Sequence, residues 1–193
     1  MAISLVKGQA ISLEKSTGAT LTQIKMGLGW DVAKPKGFFG ALTGGNNSID
    51  LDASCLMFDA NGQNTDIVYF RQLKSKDGSI QHLGDNLTGA GDGDDEVIKV
   101  DLTKVPSQVA HLVFTVSSYR GQSFDKVENA YCRLLDHNNK EVAKFNLSAQ
   151  GSHTGQIMVK LSRQASDWNL HAIGHNTQSS NATDLVAAAK NLL

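Results

Sequence analysis

Residues 84–96, GDNLTGAGDGDDE, carry five acids and four glycines in thirteen positions, with no lysine, arginine or histidine among them. Asp85, Asp92, Asp94, Asp95 and Glu96 offer carboxylate oxygens, and Asn86 and Thr88 add neutral ones. Two carboxylates about 4 Å apart repel by about 1 kcal/mol even at the dielectric of bulk water, and by more at a protein surface. Such a run is either a solvated acidic hairpin end or the wall of a cation site. Hard oxygen donors with no thiol or imidazole select calcium over zinc or copper. Magnesium is less suited, because it keeps several waters and demands a stricter octahedron. The loop is not an EF-hand: counted from Asp92, Val97 falls where the sharp-turn glycine belongs, and no glutamate follows at the twelfth position.

A second acidic pair stands in IDLDAS, residues 49–54. Ile49, Leu51 and Ala53 alternate with Asp50, Asp52 and Ser54, so a strand would set both aspartates on one face, roughly 7 Å apart. Aspartate disfavours strands. Two on one face suggest a shared purpose, and the expectation is that this strand and the acidic loop meet around one divalent ion.

Other chemistry is weaker. The six histidines include His153 in GSHTG and His171 and His175 four apart, but no third ligand is spaced beside them. No G-x-S-x-G elbow supports a serine nucleophile. The glycine-rich stretch at 37–45 lacks the G-K-[S/T] ending of a phosphate-binding P-loop, and Phe38, Phe39 and Leu42 within it either pack inward or form an apolar patch. Arg71, Lys74 and Lys76 make a basic strand end, read as a solvated face with anion binding as the alternative. Cys55 and Cys132 lie in separate apolar runs, as buried free thiols do.

Holding these residues requires a core, and 193 residues with 40% hydrophobic content can build one without disulfides. One domain is expected over 1–193, with 176–193 as a polar linker and a C-terminal helix. The net charge of -1 gives no field for nucleic acid. No apolar run is long enough to span a membrane, so a cytosolic protein is expected, with peripheral attachment left open.

Period-two alternation dominates, and an all-β sandwich of two mainly antiparallel sheets with a few short helices follows. Strands are expected at 3–5 and 10–13, paired across Lys7-Gly8-Gln9, and at 21–28, 49–58, 67–73 and 97–102. The apolar run 111–116 reads as a central strand covered on both faces. The layout strand, turn, strand at 55–69, with its turn at 59–62, recurs at 131–145, with a turn at 136–139, a faint internal echo. Ser123 can cap a helical turn through Phe124, Val127 and Ala130; Asn181 or Thr183 can cap a terminal helix with Leu185, Ala189, Leu192 and Leu193 on one face.

Several motifs taken together, GLGWD (27–31), IDLDAS, GDNLTGAGDGDDEVIKVDL (84–102), RGQSFDKVENAYCRLLD (120–136), GSHTG (151–155) and HAIGH (171–175), resemble the TerD family of bacterial tellurite-resistance and stress proteins, and within it the TerZ branch. The resemblance implies a calcium-binding β-sandwich with candidate ligands Asp50, Asp52, Asp85, Asn86, Asp92, Asp94, Asp95 and Glu96, and Asp31 of GLGWD nearby. It also implies other tellurite-resistance family proteins as partners, in complexes near the inner membrane. The function expected is a non-enzymatic calcium-binding module; the alternative is a metal-dependent hydrolase using the same carboxylates. Residues 35–47 and the tail after Asn176 depart from the shorter family pattern and leave partner choice open.

Overall fold

Alternation builds most of the elements. In β7 (Glu96–Asp101) every second residue is buried, placing Glu96, Ile98 and Val100 inward and Val97, Lys99 and Asp101 outward. In β3 (Gln23–Val32), Ile24, Met26, Leu28 and Trp30 belong to the core, so Lys25, Gly27 and Gly29 face away from it. The structure, a computed structural model, describes residues 2–32, 50–84, 93–147, 151–165 and 167–193; the expected loop at 35–47, with Phe38 and Phe39, lies outside them. The remaining strands are β1 (Ile3–Leu5), β2 (Ala10–Ser12), β4 (Leu51–Asp59), β5 (Asn64–Val68), β6 (Ile80–His82), β8 (Val109–Ser118), β9 (Val127–Asp136), β10 (Glu141–Asn146), β11 (Gly155–Gln164) and β12 (Asp167–Thr177).

These strands form two sheets of six, ordered β1-β10-β9-β3-β7-β6 and β2-β12-β11-β8-β4-β5. All pairings are antiparallel except β1 on β10. The sheets enclose one apolar layer in which Met26, Leu28 and Ile98 meet Cys55, Phe114, Leu161 and Trp168. The protein is an all-β sandwich. A second, smaller cluster covers the outer face of the second sheet, where Leu56, Phe58, Val113 and Ile157 lie under Leu185 and Ala189 of the terminal helix α2 (Leu185–Lys190). That cover explains why 112–116 are buried on both faces, as expected for β8 between β11 and β4.

Several expectations need correction. Residues 3–5 and 10–12 are strands but do not pair with each other: β1 joins β10 in one sheet and β2 joins β12 in the other, so the chain crosses between layers at its start. The turn at Lys7-Gly8 is closed by Gln9 N–H to Val6 O (2.9 Å), yet Gly8 N–H donates across to Ala172 O (2.8 Å), which splits the hairpin. Leu13 opens a one-turn helix, α1 (Leu13–Thr17), rather than extending β2. Ser12 Oγ caps it by accepting from Lys15 N–H (3.1 Å), and Gly18 ends it at φ 75°. The strand expected at 67–73 stops at Val68, because Tyr69 and Gln72 close a tight turn on each other. Ser123 does cap a helical turn, but only Phe124–Lys126 is helical; Val127 and Ala130 continue into β9. At the last helix neither expected cap fills the role: the N-cap is Asp184, whose side chain makes no capping bond, and Asn181 Oδ1, accepting from Asp184 N–H (3.0 Å), closes the turn before the helix.

The internal echo has a structural basis. Asp59 Oδ1 accepts from Asn61 N–H and Gln63 N–H (both 2.8 Å). Asp136 Oδ1 accepts from Asn138 N–H and Lys140 N–H (2.8 and 2.9 Å) in the same way. The left-handed position is Gly62 (φ 72°) in one turn and Asn139 (φ 62°) in the other. Two hairpins, one in each sheet, thus turn by the same aspartate device.

Leu185 is fully buried between α2 and the second sheet. Leu185→Ala is expected to cost about 2–4 kcal/mol in urea unfolding and to strip amide-exchange protection from α2 before the sheets; an unchanged stability would mean α2 does not seal this face.

Candidate metal centre

Glu96, at the end of the acidic segment, reaches the acidic strand where the two sheets approach. β8 flanks β4 along its whole length, but β5 covers the other edge only from Cys55 onward. The Ala53 N–H on that open stretch is taken by Glu96 Oε2 at 2.5 Å, a buried bond joining the first residue of β7 in one sheet to β4 in the other. Asp50 and Asp52, immediately before it, are 3% and 6% exposed, and Glu96 is 1% exposed. Burying an ionised carboxylate is costly unless positive charge or donors meet it. Arg120 Nε lies 3.5 Å from Asp50 Oδ2, with the arginine side chain half in solvent. His82 of β6 sets Nε2 3.5 Å from Glu96 Oε2, both side chains fully buried. Gly84 N–H donates to His82 Nδ1 (3.3 Å), which leaves Nε2 as the ring nitrogen facing the carboxylate.

The neighbouring acids go elsewhere. Asp94 lies on the outer face of the first sheet, against Gly27, where Arg133 Nε donates to Asp94 Oδ1 (2.7 Å) and the Tyr131 hydroxyl stands 3.2 Å away. Arg133 also reaches Glu141 Oε2 through Nη1 (3.3 Å). GLGWD therefore has a packing reason: a Cβ on Gly27 would collide with the Asp94 carboxyl, and one on Gly29 with the Tyr131 ring. Burial, with Asp94 beside it, pushes the Tyr131 hydroxyl up to about 12. Asp95 lies along the strand edge: its N–H donates to Leu28 O (2.8 Å) and its Oδ2 accepts from Trp30 N–H (2.9 Å). Burial raises the Asp95 carboxyl above the usual range, opposed by the Trp30 bond and reinforced by the charges of Asp31 and Asp94. Asp31 is exposed and accepts from Asn129 Nδ2 (2.8 Å).

Of the nine candidate ligands, then, Glu96 points between the sheets, Asp50 and Asp52 are buried at the start of β4, with Asp52 on the face of that strand opposite to Leu51 and Ala53, and Asp94, Asp95 and Asp31 lie against β3. Asp85, Asn86 and Asp92 lie outside the described residues, and among the described residues no three histidine, cysteine, aspartate or glutamate side chains form a metal-holding group. His82, Arg120 and Arg133 were not expected. His82 could have been found from its period-two spacing with Ile80 next to Gly84; the two arginines carry no spacing signal. The histidines of the second sheet serve other ends: His111 Nδ1 is 3.0 Å from Ser162 Oγ, and His153 stacks on Phe124 at 4.6 Å. Cys55 and Cys132 are buried free thiols; burial lifts both, Cys132 to about 12, so neither is poised as a nucleophile.

Together the fold and this edge define an all-β sandwich with carboxylates buried where its two sheets meet. The TerD domain model matches residues 1–188, and the chain belongs to the TerD domain family. It is 53% identical to a tellurium resistance protein, TerZ, of Serratia marcescens, over 90% of this chain and 89% of that one. It is 44% identical to the stress response protein SCP2 of Bacillus subtilis (strain 168), over 97% and 98%. A solved homologue of a telluride resistance protein from Streptomyces coelicolor A3(2) shares the fold, with TM-score 0.68 at 18% identity over 86% of this chain and 95% of that one. A solved protein of unknown function superposes with TM-score 0.69 at 24% identity, over 85% and 94%. The family is thus one of tellurium-resistance and stress-response proteins. No helix among the described residues is long and apolar enough to cross a membrane.

Gly27→Ala is expected to push Asp94 off the sheet and lose about 1–3 kcal/mol of stability, with Asp94→Asn relieving none of it; a fully stable Gly27→Ala protein would contradict the packing of Asp94 on β3. For Asp95, the folded-state carboxyl is raised, so the folded protein holds a proton the unfolded chain has released, and stability falls as pH rises through that window. In chelator-treated protein Asp95→Asn, which can still accept from Trp30, should therefore raise Tm at pH 7. The gain should fade as the pH drops toward about 4, the unfolded carboxylate value; a gain independent of pH would assign it to something other than charge.

Proposed function

We propose that the protein is a calcium-binding, non-enzymatic module of the tellurium and stress response, in which the ion ties the acidic segment to the start of β4. The observation that supports this reading is the burial of three oxygen-donor carboxylates in segments joined by one bond, Asp50 and Asp52 next to Ala53 in sequence and Glu96 bonded to the Ala53 N–H. Their chemistry fits a hard divalent cation. Ligands would be drawn from Asp50, Asp52 and Glu96, from Asp85, Asn86 and Asp92, and from Asp31 and Asp95 against β3, shared by one or two ions that each take about six to eight oxygens; Asp94 is engaged by Arg133 and Tyr131 on the outer face of the first sheet. Bound there, the ion supplies the positive charge that offsets carboxylate repulsion, and the chain supplies a surface ordered by it.

A hydrolase would need a general base or acid open to substrate. The imidazole beside these acids, His82, is wholly buried, with its two nitrogens turned to Glu96 and Gly84. That favours a structural ion over a catalytic one. The ordered surface would engage other proteins of this family, in the cytosol or at the inner face of the membrane, with the chain acting as one domain over 1–193.

Calorimetric titration of chelator-treated protein should show saturable calcium binding and weaker magnesium binding. At 100 times its dissociation constant calcium should add about 2.7 kcal/mol of stability, a Tm gain of about 5–10 °C for a domain of this size. Glu96→Gln and Asp52→Asn should each reduce the gain. A Tm indifferent to both calcium and EDTA would end this reading.

A further inference from the structure

The outer face of the first sheet holds a concentration of lysines unrelated to the acidic edge. In the β3–β7 register Lys25 stands directly opposite Lys99, and in the β6–β7 register Gln81 stands opposite Lys99. An isolated bridge pairs Lys74 with Gln81. The row across the sheet therefore runs Lys74, Gln81, Lys99, Lys25. All face outward, because Ile24, Met26, Ile80, Ile98 and Val100 on the same strands fill the core. Like charges directly opposite in a sheet are destabilising, so this row costs stability unless an anion lies on it.

The structure provides a place for one. A cavity of about 200 Å³ is lined by Lys74, Ser79, Gln81 and Lys99, with Gln23 and Gly78, and by the ion-paired Asp101 and Lys104. Ser79 is 3% exposed, and its hydroxyl has no hydrogen-bond partner. The Lys74 stem folds over the turn at Gly78, where a Cβ would stand 3.4 Å from Lys74 Cε, which brings its ammonium toward the cavity. The acids at hand are already engaged: Asp101 binds Lys104 (3.0 Å) and the Thr103 hydroxyl (2.6 Å), and Asp77 accepts from Ser79 N–H (2.7 Å) and the Ser75 hydroxyl (3.1 Å). Lys25 is drawn aside to Asn139 Oδ1 (2.6 Å).

We propose that this cavity binds a small doubly charged oxyanion of the phosphate, sulfate or tellurite type. Ammonium groups of Lys74 and Lys99, the Gln23 and Gln81 amides and the Ser79 hydroxyl supply the donors that three or four anionic oxygens require. The site is too small and too isolated in a chain of net charge -1 to serve a nucleic-acid backbone. It lies on the face of β7 opposite to Glu96 and does not depend on calcium at the acidic edge.

The test is titration of the full chain, with calcium held constant, by phosphate, sulfate and tellurite, each against chloride at equal ionic strength. One saturable site is expected by calorimetry, with a matching rise in Tm. Tellurite binding well above the other two would assign the site to that oxyanion; similar affinities would assign it to oxyanions as a class. Lys99→Gln should weaken binding by about tenfold or more, as loss of a charge-assisted bond does, and should raise the anion-free Tm by removing repulsion from Lys25. Lys74→Gln should weaken binding without that gain. Oxyanions acting no differently from chloride, or full-strength binding by a folded Lys99→Gln protein, would overturn the proposal.

Discussion

A single carboxylate carries the geometry of the acidic edge. β4 outruns β5, and on the edge away from β8 its backbone donors before Cys55 have no strand beside them among the described residues. A buried N–H without a partner costs roughly as much as a lost hydrogen bond. Glu96 meets that need by reaching from the first position of β7 across the gap between the sheets to Ala53. The charge is thereby carried into a place with little water, where His82 faces it and where Asp50 and Asp52 are already buried. Backbone accounting thus explains why an acid stands at position 96, and electrostatics explains why its burial is costly without positive charge or donors to meet it.

The same constraint divides a run of acids that looks uniform as a string of letters. Strand alternation would put 94 and 96 on one face, but regular pairing begins only at Glu96, and the chain bends at Gly93 and again at Asp95. The bend at 95 breaks the period. Glu96 goes inward, Asp95 runs along the strand edge to Trp30, and Asp94 lands outside, on glycines that leave it room. Arg133 and Tyr131 then hold Asp94 from β9. Charge is spread over three environments within three residues, which relieves part of the repulsion the sequence implies.

What could be read from the residues follows from which signals are local. Alternation is local, so β3, β4, β7, β8, β9 and β10 and the sandwich class were legible, as was the pairing of 55–59 with the strand after the Asp59 turn. Sheet membership is not local: nothing in residues 3–12 says that β1 and β2 part to different layers, because the deciding bond, Gly8 N–H to Ala172 O, is made 164 positions away. β11 and β12 carry Lys160, Ser162 and His171 on faces closed over by other elements, so their polar residues masked the pattern. Charge marked IDLDAS and the acidic loop as candidates, but the side chains that meet Asp50, Glu96 and Asp94, namely Arg120, His82 and Arg133, come from strands and turns whose approach only the fold decides.

The near-zero net charge conceals two opposed fields set on the two faces and two ends of one strand. β7 sends Glu96 inward at its start and Lys99 outward three residues later. Its neighbour β6 repeats the arrangement, with His82 inward against Glu96 and Gln81 outward beside Lys99. Neither group is at rest by itself, since carboxylates repel at one end and ammoniums at the other. Because the strand pair is short and its inward residues are locked in the core, charge compensation at either end acts on the same few backbone hydrogen bonds. The two charged groups therefore share one strand pair and meet solvent and core from opposite faces of it, Glu96 and His82 inward, Lys99 and Gln81 outward.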